Sequence, residues 1–370
     1  MTMTDTWASN ATVGKIGRWL NGKRSVVVLT HAKPDGDAVG STVAVARALN
    51  IASGGSAAGF GGVASRAEVW FAGPMPPWLG AVVRDTKHRV IASGDSLPAA
   101  EPDAVLITDT GAWTQLDPLG IWVREHHDRV VVMDHHLNGD ADVAPMRLIE
   151  TGCAAACQVV APLCAAILGV PSAAGLPSEV AEPLYLGLAT DTGWFRHSNV
   201  TPAVMRLAAD LLEAGLDHEW LHETIELRER PSRLRLLQRV MGSLEMLRDD
   251  RVGMLTARQR DFAEAGASPG ESGGFLDLVR TVESVRVAVM LTEAQAADDP
   301  RGPLTKLSFR SKGAGGGMAM VNVNDVASEL GGGGHAQAAG AKVRKPLAEV
   351  KPLVIAALDR AMGTSPEGDA

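Results

Sequence analysis

Aspartate and histidine side chains recur at four places in the first half of the chain. The first place is the segment 31–37, where Pro34 and Gly36 favour a tight turn that can bring polar side chains together. Two further places directly follow short apolar runs, and the fourth precedes Gly193. Histidine nitrogen and carboxylate oxygen together suit Mn²⁺, with Mg²⁺, Co²⁺ or Fe²⁺ as alternatives. The candidate metal ligands are His31, Asp35, Asp37, Asp109, His135 and Asp191.

Four carboxylates in one small volume repel one another strongly, and some must take up protons unless cations are present. Two divalent cations would balance them, and Asp109 could bridge the two ions. Paired ions about 3.5–4 Å apart can activate a water molecule, bind phosphate oxygens and stabilise in-line displacement at phosphorus. We therefore expect a phosphoesterase in which a hydroxide generated at two metal ions attacks phosphorus.

Short apolar runs would position these side chains. Residues 25–29, 104–107 and 130–133 each end at a candidate Asp or His, and alanine-rich helical patterns lie between the runs. Such runs are typical of buried parallel strands. The pattern predicts an α/β fold with a doubly wound, mainly parallel N-terminal sheet, which binds its ligands beyond the carboxyl ends of the strands. Taken alone, an Asp-x-Asp pair indicates a turn, and Asp109 could be a helix cap. All the candidates lie at equivalent positions in the predicted fold, however, and this favours a metal site.

The second half of the chain predicts a smaller α/β domain. We expect a catalytic domain at 12–225, a charged helical linker at 226–250 and a substrate-binding domain at 251–362. The first dozen residues and the tail after Met362 lack apolar periodicity, so both are expected to be disordered. The strand candidates of the second domain are residues 252–256, 285–292 and 304–310.

Taken in order, these motifs resemble the DHH phosphoesterase superfamily. The matching elements are His31 with Asp35-x-Asp37, then Asp109, then Asp134-His135-His136, then Asp191. The glycine-rich block 331–340 resembles the DHHA1 domain. The segment Asp191-Thr192-Gly193-Trp194-Phe195-Arg196-His197-Ser198-Asn199 is similar to a motif of the NrnA-type subgroup. Members of that subgroup act as oligoribonucleases and as phosphatases of 3′-phosphoadenosine 5′-phosphate (pAp).

The resemblance implies a role for each residue of the first domain. One Mn²⁺ would be held by His31, Asp35 and Asp109. The other would be held by Asp37, Asp109, His135 and Asp191. The catalytic residues would be His136, Asp109 and Asp134. His136 would contact the scissile phosphate, and Asp134 would orient the two histidines.

A basic region near the C-terminus is the candidate substrate-binding surface. Residues 301–345 contain seven Lys or Arg and only two acidic residues, although the whole chain has a net charge of −8. Four successive glycines at 331–334 could expose backbone N–H groups as an anion-binding nest, and Arg310 could bind phosphate with two hydrogen bonds. The candidate substrate contacts, several of them implied by the resemblance, are Arg310, Asn324, Gly333, Gly334, His335 and Arg280.

Several functions remain open at this point. Short RNA or DNA oligonucleotides, dinucleotides such as pApA, and pAp are the expected substrates. The alternative within enzymes is a cyclic-di-AMP phosphodiesterase, and the alternative of another class is a metal-dependent nucleotide-binding or sensory protein without turnover. The glycine-rich block argues against an inorganic pyrophosphatase. The net charge of −8 disfavours a protein that coats long nucleic acid.

The sequence predicts a cytoplasmic protein that does not enter a membrane. No apolar run reaches the roughly 20 residues that a spanning helix needs, and no signal peptide is recognisable. Cys153, Cys157 and Cys164 fall in one helical stretch and are expected to be reduced. The family resemblance makes a homodimer plausible.

Overall fold

The computed structural model describes residues 6–54, 66–92, 94–97, 101–295, 299–313 and 319–363. The chain divides into two compact units, Met1–Arg228 and Glu229–Ala370. Each unit contains one sheet with helices packed on it. No helix in the described part of the chain is long and apolar enough to cross a membrane.

Six strands among the described residues form the sheet of the first unit, in the order β3-β2-β1-β4-β5-β6. All five strand pairs are parallel, so the predicted doubly wound, parallel sheet is confirmed. The strand order reverses between β1 and β4, and a crevice for ligands forms at such a reversal. The strands are β1 Val26–Leu29, β2 Ala67–Ala72, β3 His88–Ile91, β4 Ala104–Thr108, β5 Val130–Asp134 and β6 Met146–Ile149.

Helices cover both faces of this sheet. The larger apolar core contains α2, α5 and α6 on one face, and a smaller core around Trp70 and Trp122 lies on the other. The helices of this unit are α1 Val13–Leu20, α2 Gly36–Ala52, α3 Leu79–Val83, α4 Gly120–Glu125, α5 Ala156–Leu168, α6 Ser178–Asp191, α7 Pro202–Glu213 and α8 His218–Glu226.

Small residues let α2 lie against α5 and α6. A side chain added at Gly40 would place its Cβ 2.2 Å from the Pro183 carbonyl oxygen on α6. A Cβ at Gly187 would lie 2.3 Å from Cys157 Sγ on α5 and 2.6 Å from Asp37 Oδ1 on α2. Real Cβ atoms are not found so close to other atoms, so the three helices meet only because these positions lack side chains. This contact brings Asp37 beside the C-terminal end of α6.

The second unit has a mixed six-stranded sheet among its described residues, in the order β11-β12-β10-β9-β8-β7. Only the β8–β9 pair is parallel among the described pairs. The smaller α/β second domain is therefore confirmed. Its strands are β7 Glu245–Leu247, β8 Val252–Ala257, β9 Val287–Gln295, β10 Leu304–Ser311, β11 Gly333–His335 and β12 Ala338–Val343.

Two apolar cores lie on the two faces of this second sheet. Helix α9 lies within the segment predicted as a linker, and its residues Leu236 and Val240 are buried with α10 and α11 in one of these cores. The helices are α9 Pro231–Met241, α10 Gln259–Ala265, α11 Phe275–Arg280, α12 Val323–Glu329 and α13 Leu347–Met362.

The N-terminal segment differs from the expectation of disorder in the part that the structure describes. Ser9 Oγ donates to the Ile149 carbonyl at 2.8 Å and accepts from the Ile149 N–H at 2.7 Å. Asn10 Oδ1 accepts from the Arg147 N–H at 2.8 Å. The prediction of disorder was therefore wrong for this stretch, because polar side chains attach it to β6 without any apolar periodicity. Of the C-terminal tail, residues 364–370 lie outside the described residues.

The substitution Gly187→Ala tests the close contact among the three helices. We expect it to lower the free energy of unfolding by about 1–3 kcal/mol, because the added methyl group overpacks a filled core. The measurement is urea unfolding monitored by circular dichroism. Gly80→Ala is the control, since a Cβ there meets no atom within 4 Å and should not destabilise the protein. An unchanged stability for Gly187→Ala would contradict the packing account.

Candidate metal centre and substrate surface

Strand ends and helix ends of the first unit place six side chains close together. His31 follows β1, Asp109 follows β4 and His135 follows β5. Asp37 lies in the first turn of α2, and Asp191 is the last residue of α6. Asp35 is the N-cap of α2, where its Oδ1 accepts the backbone N–H groups of Asp37 and Ala38 at 3.1 Å.

One group of potential ligands surrounds His31. Its Nε2 lies 3.4 Å from Asp109 Oδ2 and 3.9 Å from Asp35 Oδ1. Its Nδ1 lies 3.0 Å from the Ala32 carbonyl oxygen, which can accept only if Nδ1 carries the proton. This contact turns the Nε2 lone pair towards the carboxylates, as in many metal-binding histidines.

The second group surrounds His135. Its Nε2 lies 3.3 Å from Asp109 Oδ1, 3.6 Å from Asp191 Oδ2 and 3.8 Å from Asp37 Oδ2. Its Nδ1 lies 3.3 Å from the Cys153 carbonyl oxygen, which fixes the ring in the same manner as His31. Asp109 therefore directs one oxygen at each histidine, so its carboxylate stands between the two groups.

The backbone helps to position two of these carboxylates. The Asp37 side chain is fully buried, and its oxygens accept the backbone N–H groups of Ala156 and Cys157 at the start of α5. Asp109 has a φ of 63°, a left-handed conformation that costs most residues energy and that Asp tolerates better than most. Strain of this kind commonly occurs at functional sites.

Crowding of the carboxylates is visible in their acidities. Burial, followed by the charges of Asp109 and Asp191, raises the pKa of Asp37 well above its usual range. Burial and the same Asp109 charge raise the pKa of Asp191 to about 7. Burial favours a higher pKa for Asp109 as well, but its contacts with His135 and His31 outweigh burial and lower this pKa below its usual value.

The histidines show the complementary effect. Burial disfavours the charged imidazolium, yet the neighbouring carboxylates, Asp109 foremost, raise the pKa of both His31 and His135 to about 9. Without a metal ion, protons on the histidines and on some of the carboxylates would have to neutralise this cluster. Cations can take the place of those protons.

The residues fit two divalent cations. Three sets of side chains have ligand atoms within 4.8 Å of one another, and together they contain every predicted metal ligand. His135 Nε2 is buried without a hydrogen-bond partner among the described residues, although three carboxylates surround it. The structure thus brings all six predicted ligands together, whereas His126 stacks on Trp122 elsewhere in this unit.

Asp134 organises the pair of histidines that follows it. Its Oδ1 accepts the His135 N–H at 2.7 Å and lies 2.8 Å from His136 Nδ1. The bond to Asp134 is the main cause of the raised pKa of His136. Because Nδ1 is used in this contact, Nε2 of the half-exposed His136 ring is left for an external group.

The second unit carries two of the predicted substrate contacts in one row. Arg310 on β10 pairs with Ala338 on β12, and Ala338 pairs with His335 on β11. Residues paired across neighbouring strands share a face of the sheet, so Arg310 and His335 lie on one face about 10 Å apart at the backbone. The methyl group of Ala338 between them leaves space for a ligand.

A cleft of about 750 Å³ adjoins this row. Arg310, Ser308 and Lys306 line one side of it, and Phe262 and Phe275 belong to the opposite helical layer. Basic groups beside aromatic side chains provide contacts for a phosphate and for a nucleobase.

The glycines do not form the predicted anion-binding nest. Gly331 and Gly332 donate their N–H groups to the Ser328 and Ala327 carbonyls, and Gly334 donates to Asn324 Oδ1 at 2.8 Å. The nest prediction was therefore wrong, because these donors are already used within the unit. The glycines instead allow strands to approach closely, since a Cβ at Gly332 would lie 2.1 Å from the Gly340 carbonyl oxygen.

The remaining predicted contacts occupy different positions. Asn324 orders the Gly334 backbone through the hydrogen bond just described, while Gly333 is exposed on the edge strand β11. Arg280 ends α11 and forms an ion pair with Asp277 at 2.9 Å.

Comparison with known families agrees with this geometry. The N-terminal domain model of the DHH family matches residues 25–188, and the DHHA1 domain matches residues 252–364. Over 319 residues the chain is 30% identical to the bifunctional oligoribonuclease and PAP phosphatase NrnA of Thermus thermophilus, covering 86% of this chain and 84% of that protein. The chain belongs to the DHH family of phosphoesterases.

Other relatives of this DHH phosphoesterase are more distant. It is 22% identical over 322 residues to the NrnA of Mycoplasma pneumoniae, covering 86% of this chain and 87% of that protein. An exopolyphosphatase-related protein from Bacteroides fragilis has a similar fold, with a TM-score of 0.74 at 21% identity, covering 94% of this chain and 95% of that one.

Two functional contributions were not predicted from the sequence. The carbonyls of Ala32 and Cys153 orient the two metal-facing histidines, and the glycines at 40 and 187 admit the helices that carry Asp37 and Asp191. Backbone carbonyls have no sequence signature. The glycines stood within helical patterns, where such residues often mark close packing, and this was the one available signal.

Metal addition should stabilise the first unit. Thermal unfolding of the wild type is expected to shift to higher temperature with Mn²⁺, by the equivalent of about 2.7 kcal/mol at a hundredfold excess over the dissociation constant. Asp109→Asn should lose most of this shift, because Asp109 contributes to both groups of ligands. The control is His127→Ala, an exposed histidine away from the cluster, which should respond like the wild type. An equal response of all three proteins would contradict the assignment.

Proposed function

We propose that the protein hydrolyses short oligonucleotides, such as nanoRNA and the dinucleotide pApA, and pAp, in a reaction that depends on two divalent cations. The observation that carries the proposal is the arrangement of three further carboxylates and two histidine Nε2 atoms around Asp109. The NrnA relatives from two bacteria are named for these two activities. They support this substrate class over a cyclic dinucleotide.

The site residues of the first unit would have separate roles in metal binding and catalysis. His31, Asp35 and Asp109 would hold one cation, and Asp37, Asp109, His135 and Asp191 the other. When bound, such a pair of ions activates water and neutralises charge that develops on the phosphoryl oxygens. His136 would donate from Nε2 to a phosphate oxygen. Its raised pKa favours the charged donor, and the contact with Asp134 holds the ring in position.

The second unit would bind the nucleotide. Arg310 and His335 on one face of the sheet would contact its phosphate, and the adjoining cleft would accept a base. Asn324 would act through the Gly334 backbone, with Gly333 as part of the same surface. Arg280, which already pairs with Asp277, is the weakest candidate of this set.

Three finer points belong to the same proposal. Mn²⁺ is the preferred ion because histidine and carboxylate ligands are mixed in both groups. A homodimer and a cytoplasmic location are expected from the family resemblance and from the sequence. The free state of all three cysteines agrees with a reducing compartment.

His136→Ala tests the proposed reaction. We expect kcat for pApA and pAp to fall by about 10²–10³-fold, the usual cost of removing one group that stabilises the transition state. The fold should be retained because the ring is half exposed. Steady-state kinetics with Mn²⁺ is the measurement, and His127→Ala is again the matched control. The proposal is wrong if the wild type hydrolyses neither pApA nor pAp. It is also wrong if the His136→Ala variant hydrolyses them as fast as the wild type does.

Arg310→Ala tests the proposed nucleotide-binding surface. Loss of a charge-assisted hydrogen bond should raise KM for pAp by about 10–100-fold. The rate on bis-p-nitrophenyl phosphate, which lacks a nucleotide to bind, should stay nearly constant. Arg344→Ala, an exposed arginine on the same unit, serves as the control. Equal losses on both substrates would count against a binding role.

A further inference from the structure

The described part of the N-terminal segment lies beside the candidate metal centre. Its attachment to β6 through Ser9 and Asn10 places Trp7 next to the two loops that follow β4 and β5. The first loop carries Asp109, and the second carries His135 and His136. None of the roles assigned above uses Trp7.

Trp7 contacts both loops. Its indole Nε1 donates to the His136 carbonyl oxygen at 3.0 Å. Its ring lies directly on Gly111, two residues after Asp109, and on Gly139, three residues after His136. A Cβ added at Gly111 would be 1.7 Å from the ring, and one added at Gly139 would be 2.5 Å from it.

The two glycines are explained by this contact. Neither Gly111 nor Gly139 has a positive φ, so their backbone conformations do not require glycine. The atoms nearest to a Cβ at either position would be those of the Trp7 ring. Both positions therefore need a hydrogen atom in order to admit the indole ring.

The same two loops are also bonded to each other. The Asp140 N–H donates to the Gly111 carbonyl at 2.8 Å, and the Trp113 N–H donates to Asp140 Oδ2 at 2.8 Å. Trp7 adds a rigid wedge to this pair of loops. A residue from outside both loops therefore contacts each of them beside the bonds that join them.

We propose that Trp7 is a positioning residue, which fixes the loop of Asp109 relative to the loop of His136. It does not touch the reacting atoms in this arrangement. Its effect passes through the backbone of His136 and through Gly111. The proposal rests on the proposed function for its effect on turnover, but its effect on metal affinity is independent of the substrate.

A double-mutant cycle tests this role, with Trp7→Ala, Gly111→Ala and the double variant. Each single substitution should weaken Mn²⁺ binding by about 10–100-fold, as loss of groups that orient ligands commonly does. In Gly111→Ala the new methyl group should displace the indole. The double variant should bind Mn²⁺ no more weakly than either single variant, because the methyl group then enters empty space.

Turnover gives a second readout. Trp7→Ala should lower kcat on pApA while KM stays within about twofold, since the nucleotide-binding residues lie in the other unit. Trp7→Phe, which keeps a ring but loses the N–H donor, should restore part of kcat. Trp19→Ala is the control, because this half-buried tryptophan packs on the core of α1 and α5 and should cost stability without lowering kcat.

The outcomes separate the two proposals. Wild-type Mn²⁺ affinity in Trp7→Ala, or additive losses in the double variant, would overturn the role of Trp7 whatever the substrate is. A further outcome is that the wild type binds Mn²⁺ and the variants show the expected non-additive losses, while the wild type does not turn over pApA or pAp. That result would support the role of Trp7 and contradict the proposed function.

Discussion

The rest of the first unit depends on one electrostatic constraint, the mutual repulsion of carboxylates gathered around Asp109. Burial makes the repulsion stronger because little water screens it. The raised pKa values of Asp37 and Asp191, and those of about 9 for His31 and His135, are consequences of the same crowding. A chain maintains such a cluster only if the surrounding structure holds it together and if cations relieve the repulsion. The first condition explains packing features that lie outside the site itself.

The holding structure is built mainly from strand ends, helix ends and missing side chains. The reversal of strand order between β1 and β4 brings His31 and Asp109 to neighbouring positions. Glycines 40 and 187 allow α2 to approach α6, which brings Asp37 towards Asp191. Two backbone carbonyls fix the histidine rings, and Trp7 contacts both of the loops that follow β4 and β5. The contacts that pack these helices and loops together therefore also position the metal ligands.

Much of this arrangement could be predicted from the sequence. The β-branched runs ending in Asp or His indicated both the parallel sheet and the side chains at its edge, because a buried strand and a strand end have recognisable patterns. The glycine block was identified as functional but given the wrong role, since a sequence does not show which N–H groups are already bonded. The ordered N-terminal segment was missed because side-chain hydrogen bonds, rather than apolar periodicity, attach it.

We expect two cations to occupy the two groups of ligands that share Asp109. Anomalous diffraction from crystals grown with Mn²⁺, measured at the manganese edge, tests it most directly. We predict two peaks about 3.5–4 Å apart, one beside His31 and Asp35 and the other beside His135, Asp37 and Asp191. A single peak, or peaks away from Asp109, would contradict it.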